Sequence, residues 1–476
     1  MDNLDQSNAV IEQLITLLGA KNVLQGDDVS ARSNHIFRPD DPCRARAIVR
    51  PATTEEVSEV VKICARAGQK IVPVGGGTGL VEGQVASDEE IQISLERMNR
   101  VEDVDPSDRT ATVQAGVPLQ TVQEAADAQN LFFPLDLGGR GTATIGGNVS
   151  TNAGGNRVVR YGMARDMVLG LEAVLADGTI VSSMNHMIKN NAGYDLKQLF
   201  IGTEGTLGII TRLVLRLREK PRSQSTALVA LESFDNLMLF FKEIDASLGG
   251  TLSAFEVMWN SFYCFVTADD TPNRPPMASD YPYYILVEAL GGDPDADEER
   301  FANALMATLD QGLLTDAVIA KSEAERNELW ALRDSVDLFV NLGRTFSFDV
   351  SLRIGDMEAY TAKVHAEMAE EFDTQKAITF GHIGDGNVHI VAAVEDGSDA
   401  AHHRLERIVY ENLIPYQGSV SAEHGIGLEK RNYLSISRNE AEIALMRKLK
   451  AALDPDDIFN TGKVIGGETY ISQSIG

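Results

Sequence analysis

The sequence predicts an α+β protein of more than one domain. Three observations predict it. At 476 residues the chain is too long for one ordinary core, so two or three domains are expected. Up to about residue 220, short strand-like runs are joined by unusually glycine-rich loops. From 226 to 418, apolar runs of strand length alternate with amphipathic segments of helix length. That alternation reads as an antiparallel sheet with helices on one face.

Taken in order, residues 7–18 form an amphipathic helix. Ser7 can cap it, Val10, Ile11, Leu14 and Leu18 make one stripe, and Gly19 stops it. Residues 54–67 form another, with Thr53 and Glu56 as a capping box, Val57, Val60, Val61 and Cys64 facing inward and Gly68 at the end. The strand Lys70–Val74 then runs into Gly75, Gly76, Gly77, Thr78 and Gly79. Such a loop lets backbone N–H groups approach an anion closely, and it is equally a plain tight turn. Two familiar phosphate loops fail here. The dinucleotide pattern needs glycine at Leu80, and a Walker loop needs serine or threonine where Val464 follows Gly462-Lys463.

Residues 134–162 are dense in Gly, Ser, Thr and Asn. Long glycine-rich loops inside a compact domain are usually functional, and this one lacks the low complexity of a linker. Met167–Ala176 and Thr179–Val181 form a hairpin around Asp177-Gly178, and a further alternating strand runs to Leu217. Composition shifts after Pro221. Strands are expected at 226–231, 251–257, 283–290, 316–320, 346–352, 377–381 and 388–394. Helices are expected at 234–248, 295–311, 322–341, 355–370 and 400–416, and Asp269–Pro282, with four prolines, is a loop. The last segment is a helix followed by Asp454–Lys463.

Composition bounds the function. Apolar content is 43% and charged content 24%, as in ordinary globular proteins. The net charge of −28 argues against nucleic acid and anionic membrane as partners, since both need a basic face. An acidic substrate would then need local positive charge from a metal ion and arginines. Cys43, Cys64 and Cys264 form no C-x-x-C pair and read as inert packing residues in a reducing compartment. Asp2 and Asp5 stand where a signal peptide would be basic, and no apolar run approaches the ~20 residues of a membrane span, so a soluble cytoplasmic protein is expected.

The residues best suited to chemistry are Gly381-His-Ile-Gly-Asp-Gly-Asn-Val-His389 and Ser421-Ala-Glu-His-Gly-Ile-Gly427. The run Gly384–Asn387 is a turn rather than a helix interior, and two strands joined by it can bring His382 and His389 together. Two neutral imidazoles and the carboxylate of Glu423, with open positions, suit a catalytic zinc or a related divalent ion. Each histidine is also readable as a satisfied buried polar residue. His186, His365, His402 and His403 are read that way, with His365 and the 402–403 pair on surface helices.

Two resemblances extend this reading. Gly75–Leu80, Thr142–Gly162 and Phe200–Ile210 together resemble the FAD-binding domain of the vanillyl-alcohol oxidase / p-cresol methylhydroxylase (PCMH) flavoproteins, in register from about residue 40 to 218. The resemblance implies a two-lobed PCMH-type domain with FAD between its α+β lobes. Gly75, Gly76, Gly77, Thr78, Gly79 and Leu80 would hold the cofactor with Pro134, Leu137, Gly138, Thr142, Thr144, Ile145, Gly147, Asn148, Ser150, Asn152, Ala153 and Gly154. Glu204, Gly205, Gly208 and Ile210 would lie near the adenine half or the ring edge, and Asn460 would reach the cofactor from the C-terminal return. The first glycine loop has no histidine, so non-covalent FAD is expected.

The two histidine motifs resemble the C-terminal half of the FAD-linked D-2-hydroxyacid dehydrogenases, the group of D-lactate, D-2-hydroxyglutarate and glycolate dehydrogenases. Carried over position by position, His382, His389 and Glu423 are metal ligands, His424 is the catalytic base and Arg333 binds the substrate carboxylate. The implied reaction oxidises a D-2-hydroxy acid to the 2-oxo acid, with hydride passing to flavin N5. The implied domains are 1–220 for FAD, 221–430 for an α+β substrate (cap) domain with an antiparallel sheet, and 431–476 returning to the first. This chain departs from the 2-hydroxyglutarate-specific pattern of threonine, lysine and asparagine, carrying Asp337, Ser347 and Val391 instead. Arg344 or Arg353 would have to compensate for a distal carboxylate, so D-lactate or a more apolar acid stays open. A glycolate-oxidase-type subunit and a catalytically silent flavin subunit are the competing readings. With no nicotinamide fingerprint, an electron-transfer flavoprotein, quinone or cytochrome is the expected acceptor. The oligomeric state is open, a homodimer included.

Overall fold

The computed structural model describes residues 2–35, 38–372 and 375–466. The end of the expected C-terminal segment, 467–476, and the side chain of Ser7 lie outside the described residues. The chain divides into two compact units. The first holds residues 1–154, 163–220 and the C-terminal segment from Glu423; the second holds 155–162 and 221–422. Against the expected boundaries, residues 423–430 fall with the first unit and 155–162 with the second.

Among the described residues the first unit contains two larger sheets, besides the two-stranded pairs Leu131–Phe132 with Arg218–Glu219 and Ser33–His35 with Arg38–Pro42. Ile71–Val74 and Ala47–Val49 both run parallel to Ile91–Ser94 between them, and Val23–Leu24 adds antiparallel at the Ala47–Val49 edge. The helix Thr54–Arg66 starts where Thr53 Oγ1 accepts from the Glu56 amide at 3.2 Å. Its inward side chains Val57, Val60, Val61 and Cys64 are fully buried, each contributing roughly 1.5–3 kcal/mol for an aliphatic side chain. The second sheet has five antiparallel strands, in the order Ile180–Ser183, Val168–Val174, Ile209–Arg216, Thr110–Gln114 and Val101–Asp105. Gly178 closes the hairpin between the first two with φ +82°, a conformation that suits glycine. The C-terminal segment joins this unit through Ile71, whose amide donates to Ile458 O at 2.7 Å and whose carbonyl accepts from the Asn460 amide at 2.9 Å.

The second unit is a seven-stranded antiparallel sheet. Its order is Asp316–Ile319, Ser223–Leu231, Tyr283–Gly291, Leu252–Trp259, Gln375–Gly381, Asn387–Val394 and Thr345–Ser351. Helices cover both faces, not the single face expected. Phe240 and Phe241 of Phe234–Leu248 pack on Phe255, with ring centroids 6.0 and 4.7 Å apart. On the opposite face, Met258, Leu286 and Leu228 pack with Phe262 and with Leu329 and Leu332 of Glu323–Asp334. Strands buried on both faces lose the alternation that would have revealed this. Phe262 lies on a helix, Asn260–Val266, whose seven residues bury Phe262, Tyr263 and Val266. The helix expected at 322–341 ends at Asp334 and continues as the 3-10 segment Ser335–Leu342.

Residues 155–162 are tied into this unit by two arginines. Arg157 Nη2 lies 3.2 Å from Glu288 Oε1, and Arg160 Nη1 donates to Thr251 O at 3.2 Å. Glu288 also accepts from Trp330 Nε1 at 2.8 Å and Gln224 Nε2 at 2.7 Å, so a fully buried carboxylate is satisfied from three elements.

One smaller expectation, for Cys264, needs correction. His365 is half-buried and satisfied: its Nε2 is 2.8 Å from Thr379 Oγ1, and burial lowers its pKa from the ordinary value. His402 stacks on Phe346 with centroids 4.5 Å apart. Cys43 and Cys64 are buried, and desolvation pushes the Cys64 thiol up to about 12. Cys264, however, is exposed rather than packed.

Candidate active site

In the first unit, the strand Ile71–Val74 ends in the loop Gly75–Gly79, which lies against the segment Thr142–Gly147. The fit leaves no room for a side chain at Gly75 or Gly76. A Cβ at Gly75 would stand 2.5 Å from Thr144 Oγ1, and one at Gly76 2.1 Å from Thr142 O. Gly77 takes φ +69°. Gly139 approaches Thr78, so the loop beginning at Pro134, Leu137 and Gly138 meets the first glycine loop as well. Thr144 caps the helix Ile145–Ser150, its Oγ1 accepting from Gly147 N at 3.4 Å. Within that helix Asn148 Nδ2 is buried and has no hydrogen-bond partner among the described residues. A buried orphan donor and backbone too crowded for Cβ atoms fit a polar ligand laid against these loops.

Asn152, at φ +52°, turns the chain out of the helix, and its Oδ1 accepts from the Arg165 amide at 3.0 Å. Ala153 N donates to Asn148 O at 2.7 Å, and Gly154 is the last residue of this stretch in the first unit. Ile210 is buried in the five-stranded sheet opposite Ala173, and Gly208 lies under Phe200, where a Cβ would stand 2.9 Å from the ring. Gly205 approaches Pro73.

Glu204 and Asn460 are engaged with protein. Glu204 Oε1 accepts from Ile426 N at 2.7 Å and Oε2 from Gly427 N at 2.9 Å. Asn460 Nδ2 donates to Glu204 O at 2.5 Å, and its Oδ1 accepts from Lys463 Nζ at 3.1 Å. Lys463 also donates to Gly83 O and Val85 O, both at 2.8 Å. Burial raises the Glu204 carboxyl above its usual range and pulls the Lys463 ammonium down to about 8.

In the second unit, Gln375–Gly381 and Asn387–Val394 form a hairpin closed by a 3-10 turn at Ile383–Asp385, with Gly386 at φ +92°. A Cβ at Gly381 would meet Asn387 O at 2.5 Å, which explains the glycine before His382. The hairpin brings the rings of His382 and His389 to 5.3 Å between centroids, at 82°. Both are buried, at 5% and 6% exposure. His389 sits opposite Phe380 on one side and Asp349 on the other, its Nδ1 3.9 Å from Asp349 Oδ1.

Glu256 organises this cluster. At 1% exposure, its Oε1 lies 2.6 Å from His382 Nδ1 and its Oε2 accepts from Arg333 Nε at 2.7 Å. Burial alone would raise its pKa, but His382 and Arg333 outweigh that and hold the carboxyl below the usual range. An ionised carboxylate only accepts, so His382 donates from Nδ1, and Nε2 is the nitrogen that bears the lone pair when the ring is neutral. That Nε2 is 3.5 Å from Arg333 Nη2, and the guanidinium lies 4.8 Å over the Phe380 ring. An imidazole fixed in this tautomer by a buried carboxylate, beside a second imidazole, is a donor set that fits a divalent metal.

The second unit therefore brings together Arg333, His382 and His389. Glu423 and His424 open the part of the chain that belongs to the first unit. The residue before them, Ala422, is held in the second unit by its amide, which donates to Asp349 Oδ2 at 3.0 Å. Sequence reasoning missed Glu256 and Asp349. The available signal was a lone carboxylate between apolar neighbours in a strand, Phe255-Glu256-Val257 and Phe348-Asp349-Val350. Of the residues that depart from the 2-hydroxyglutarate-specific pattern, Val391 is buried with Ile378 and Phe380, while Asp337 and Ser347 are exposed. Arg344 pairs with Asp399 at 2.7 Å and Arg353 with Asp356 at 2.9 Å, both as surface ion pairs.

Comparison with known proteins agrees with this architecture. The family described as FAD linked oxidases, C-terminal domain, matches residues 220–464, and the family described as FAD binding domain matches residues 45–183. The chain is 41% identical over 423 residues to a D-2-hydroxyglutarate dehydrogenase of Xanthomonas citri pv. viticola, covering 88% of this chain and 89% of that protein. It is 34% identical over 467 residues to one of Stutzerimonas stutzeri, covering 96% and 98%, and 37% identical over 422 residues to a mitochondrial one of Bos taurus, covering 88% and 77%. Among solved structures, p-cresol methylhydroxylase with substrate bound superposes with a TM-score of 0.78 at 17% identity, over 98% of this chain and 97% of that one. Alkyldihydroxyacetonephosphate synthase does so with a TM-score of 0.73 at 17% identity, over 95% and 85%. At such identities these two show the fold alone. Among the described residues, no helix is long and apolar enough to cross a membrane.

One prediction follows from the crowding at the first glycine loop. Gly76→Ala is expected to purify with little flavin, because the added methyl would displace Thr142 O. Flavin absorbance per protein checks this; a wild-type ratio would mean the loop does not hold the cofactor.

Proposed function

We propose, because this chain belongs to the FAD-linked oxidase family and is an FAD-dependent oxidoreductase, that it oxidises a D-2-hydroxy acid to the 2-oxo acid. The observation that carries the proposal is the buried Glu256, which fixes His382 and Arg333 with two short hydrogen bonds beside His389. In this reading His382, His389 and Glu423 hold a divalent metal, zinc by the chemistry of the donors. The loops around Gly75–Gly79 and Thr144–Asn152 hold FAD without a covalent bond, since the first loop offers no histidine.

When bound, the flavin supplies a two-electron acceptor for the hydride leaving the substrate Cα. The metal supplies positive charge at the substrate hydroxyl and carboxylate, which acidifies the hydroxyl. The chain does the rest. Arg333 offers Nη1 and Nη2 to the carboxylate, while its Nε stays on Glu256, so the guanidinium is aimed before the acid arrives. His424 takes the hydroxyl proton. Phe380 and Val391 keep water from the apolar side of His389. With the proton taken by His424, the flavin these loops would hold would supply the place for the two electrons of the hydride, which balances the oxidation. The acceptor that reoxidises the flavin is an electron-transfer flavoprotein, quinone or cytochrome rather than NAD.

The names of the relatives make D-2-hydroxyglutarate the first acid to test. The burial of Val391 among Ile378 and Phe380 favours a second reading, an acid without a distal carboxylate. Anaerobic mixing of the holoenzyme with D- and L-acids, in the presence of zinc, tests both. A D-2-hydroxy acid is expected to bleach the flavin and its L-enantiomer to leave it unchanged. Absence of bleaching by every D-acid would overturn the dehydrogenase reading. Faster reduction by D-2-hydroxyglutarate than by D-lactate would remove the second reading alone.

A further inference from the structure

We propose that Glu204 is a positioning residue that sets the catalytic base against the flavin segment. This rests on the reading of His424 as the base. Sequence resemblance puts Glu204 beside the cofactor, yet both of its carboxylate oxygens are occupied by backbone. Oε1 accepts from Ile426 N at 2.7 Å and Oε2 from Gly427 N at 2.9 Å, directly beyond His424-Gly425. The backbone of the same residue faces the other way. Glu204 N donates to Ser150 O at 2.8 Å, at the end of the helix Ile145–Ser150. One residue thus spans from the flavin segment to the turn that carries His424.

The span is stiff at both ends. Glu204 itself takes φ +53°, which a residue with a side chain rarely adopts, and Asn460 Nδ2 holds its carbonyl. Gly425 takes φ +91°, and a Cβ there would stand 2.8 Å from Glu204 Oε1. The far side of the turn is fixed as well. Leu428 N donates to Val81 O at 3.0 Å and Val464 N to Gly427 O at 2.9 Å. Glu204 is the member of this set whose side chain can be changed without touching the backbone bonds that build the fold. A buried carboxylate that accepts two adjacent amides fixes their direction more firmly than a neutral acceptor. Because misplacement by ~1 Å can cost on the order of 10²-fold in rate, a strut of this kind acts on catalysis without touching substrate.

The test uses the holoenzyme and separates the half-reactions. Glu204→Ala is expected to keep its FAD, its reduction by dithionite and its reoxidation by an artificial acceptor, none of which needs the base. Flavin reduction by the D-2-hydroxy acid should fall roughly 10- to 100-fold, with KM for the acid unchanged. Glu204→Gln, which retains one acceptor oxygen, should recover part of the rate. Gly425→Ala approaches the same contact from the other side and should slow the same step. The role is overturned if Glu204→Ala is reduced by the acid at the wild-type rate. It is equally overturned if Glu204→Gln and Gly425→Ala lose FAD and both half-reactions in proportion, which is what a purely structural contact predicts. His424→Ala run in parallel keeps the two claims apart. Wild-type reduction by that variant overturns the base assignment, whereas a slow His424→Ala beside a wild-type Glu204→Ala overturns only the positioning role.

Discussion

Replacing His424 by alanine is expected to leave a yellow protein that no longer takes electrons from its acid. The flavin loops lie elsewhere in the sequence, at Gly75–Gly79 and Thr144–Asn152, so FAD content should be unchanged. Dithionite should still reduce the flavin. Reduction by the D-2-hydroxy acid should fall by ~10²- to 10⁴-fold, the usual worth of a positioned general base. Added imidazole should restore part of the rate if a cavity is left at the proton's position. The expectation depends on hydride and proton leaving together, for a hydride cannot depart from Cα while the hydroxyl keeps its proton without building positive charge on carbon. The proposed metal charge lowers the hydroxyl's pKa but does not carry the proton away, so the two contributions are separable. Anaerobic stopped-flow traces at saturating acid decide the matter. A His424→Ala enzyme reduced at the wild-type rate would move the base to another residue.

How much of this was legible beforehand follows from where the information sits. The seven strands of the second unit were readable to within a few residues, because local apolar runs carry them. The hairpin that joins His382 to His389 was readable too, since Gly384–Asn387 can only turn. Helix placement on both sheet faces was not, because strands such as Leu252–Trp259 are buried throughout and show no period of two. Residues 155–162 gave no sign of belonging with 221–422, as Arg157 finds Glu288 at a separation of 131 positions. Glu256 was missed for the same reason: its partners Arg333 and His382 are 77 and 126 positions away. Glu204 was marked by resemblance as a residue of the flavin neighbourhood, but nothing in the sequence signals that its carboxylate turns to the amides of Ile426 and Gly427. Pattern locates a residue along the chain; what it touches depends on loops closed over hundreds of positions.

Glu256→Gln is the change expected to separate metal binding from acid binding. Both carboxylate oxygens are in use, one on His382 Nδ1 at 2.6 Å and the other on Arg333 Nε at 2.7 Å. Glutamine keeps the shape but offers one acceptor and one donor. Arg333 Nε only donates, so the remaining oxygen faces the guanidinium and the new N–H₂ faces His382. Nδ1 must then accept, which moves the ring proton to Nε2 and removes the lone pair a metal would use. Partners of this kind are typically worth about 10- to 100-fold in metal affinity, and zinc affinity should fall by that much. Arg333 keeps an acceptor, so KM for the acid at saturating zinc should change far less. Glu256→Ala is the harsher case. It strands a guanidinium at 5% exposure without its carboxylate, and breaking a buried pair in this way costs about 3–5 kcal/mol. That variant should lose stability, metal and acid binding together. Zinc titration of the metal-free Glu256→Gln protein, read against flavin reduction by the acid, distinguishes these outcomes. Wild-type zinc affinity in Glu256→Gln would show that His382 needs no partner to present Nε2, and the assignment of His382 as a ligand would lose its main support.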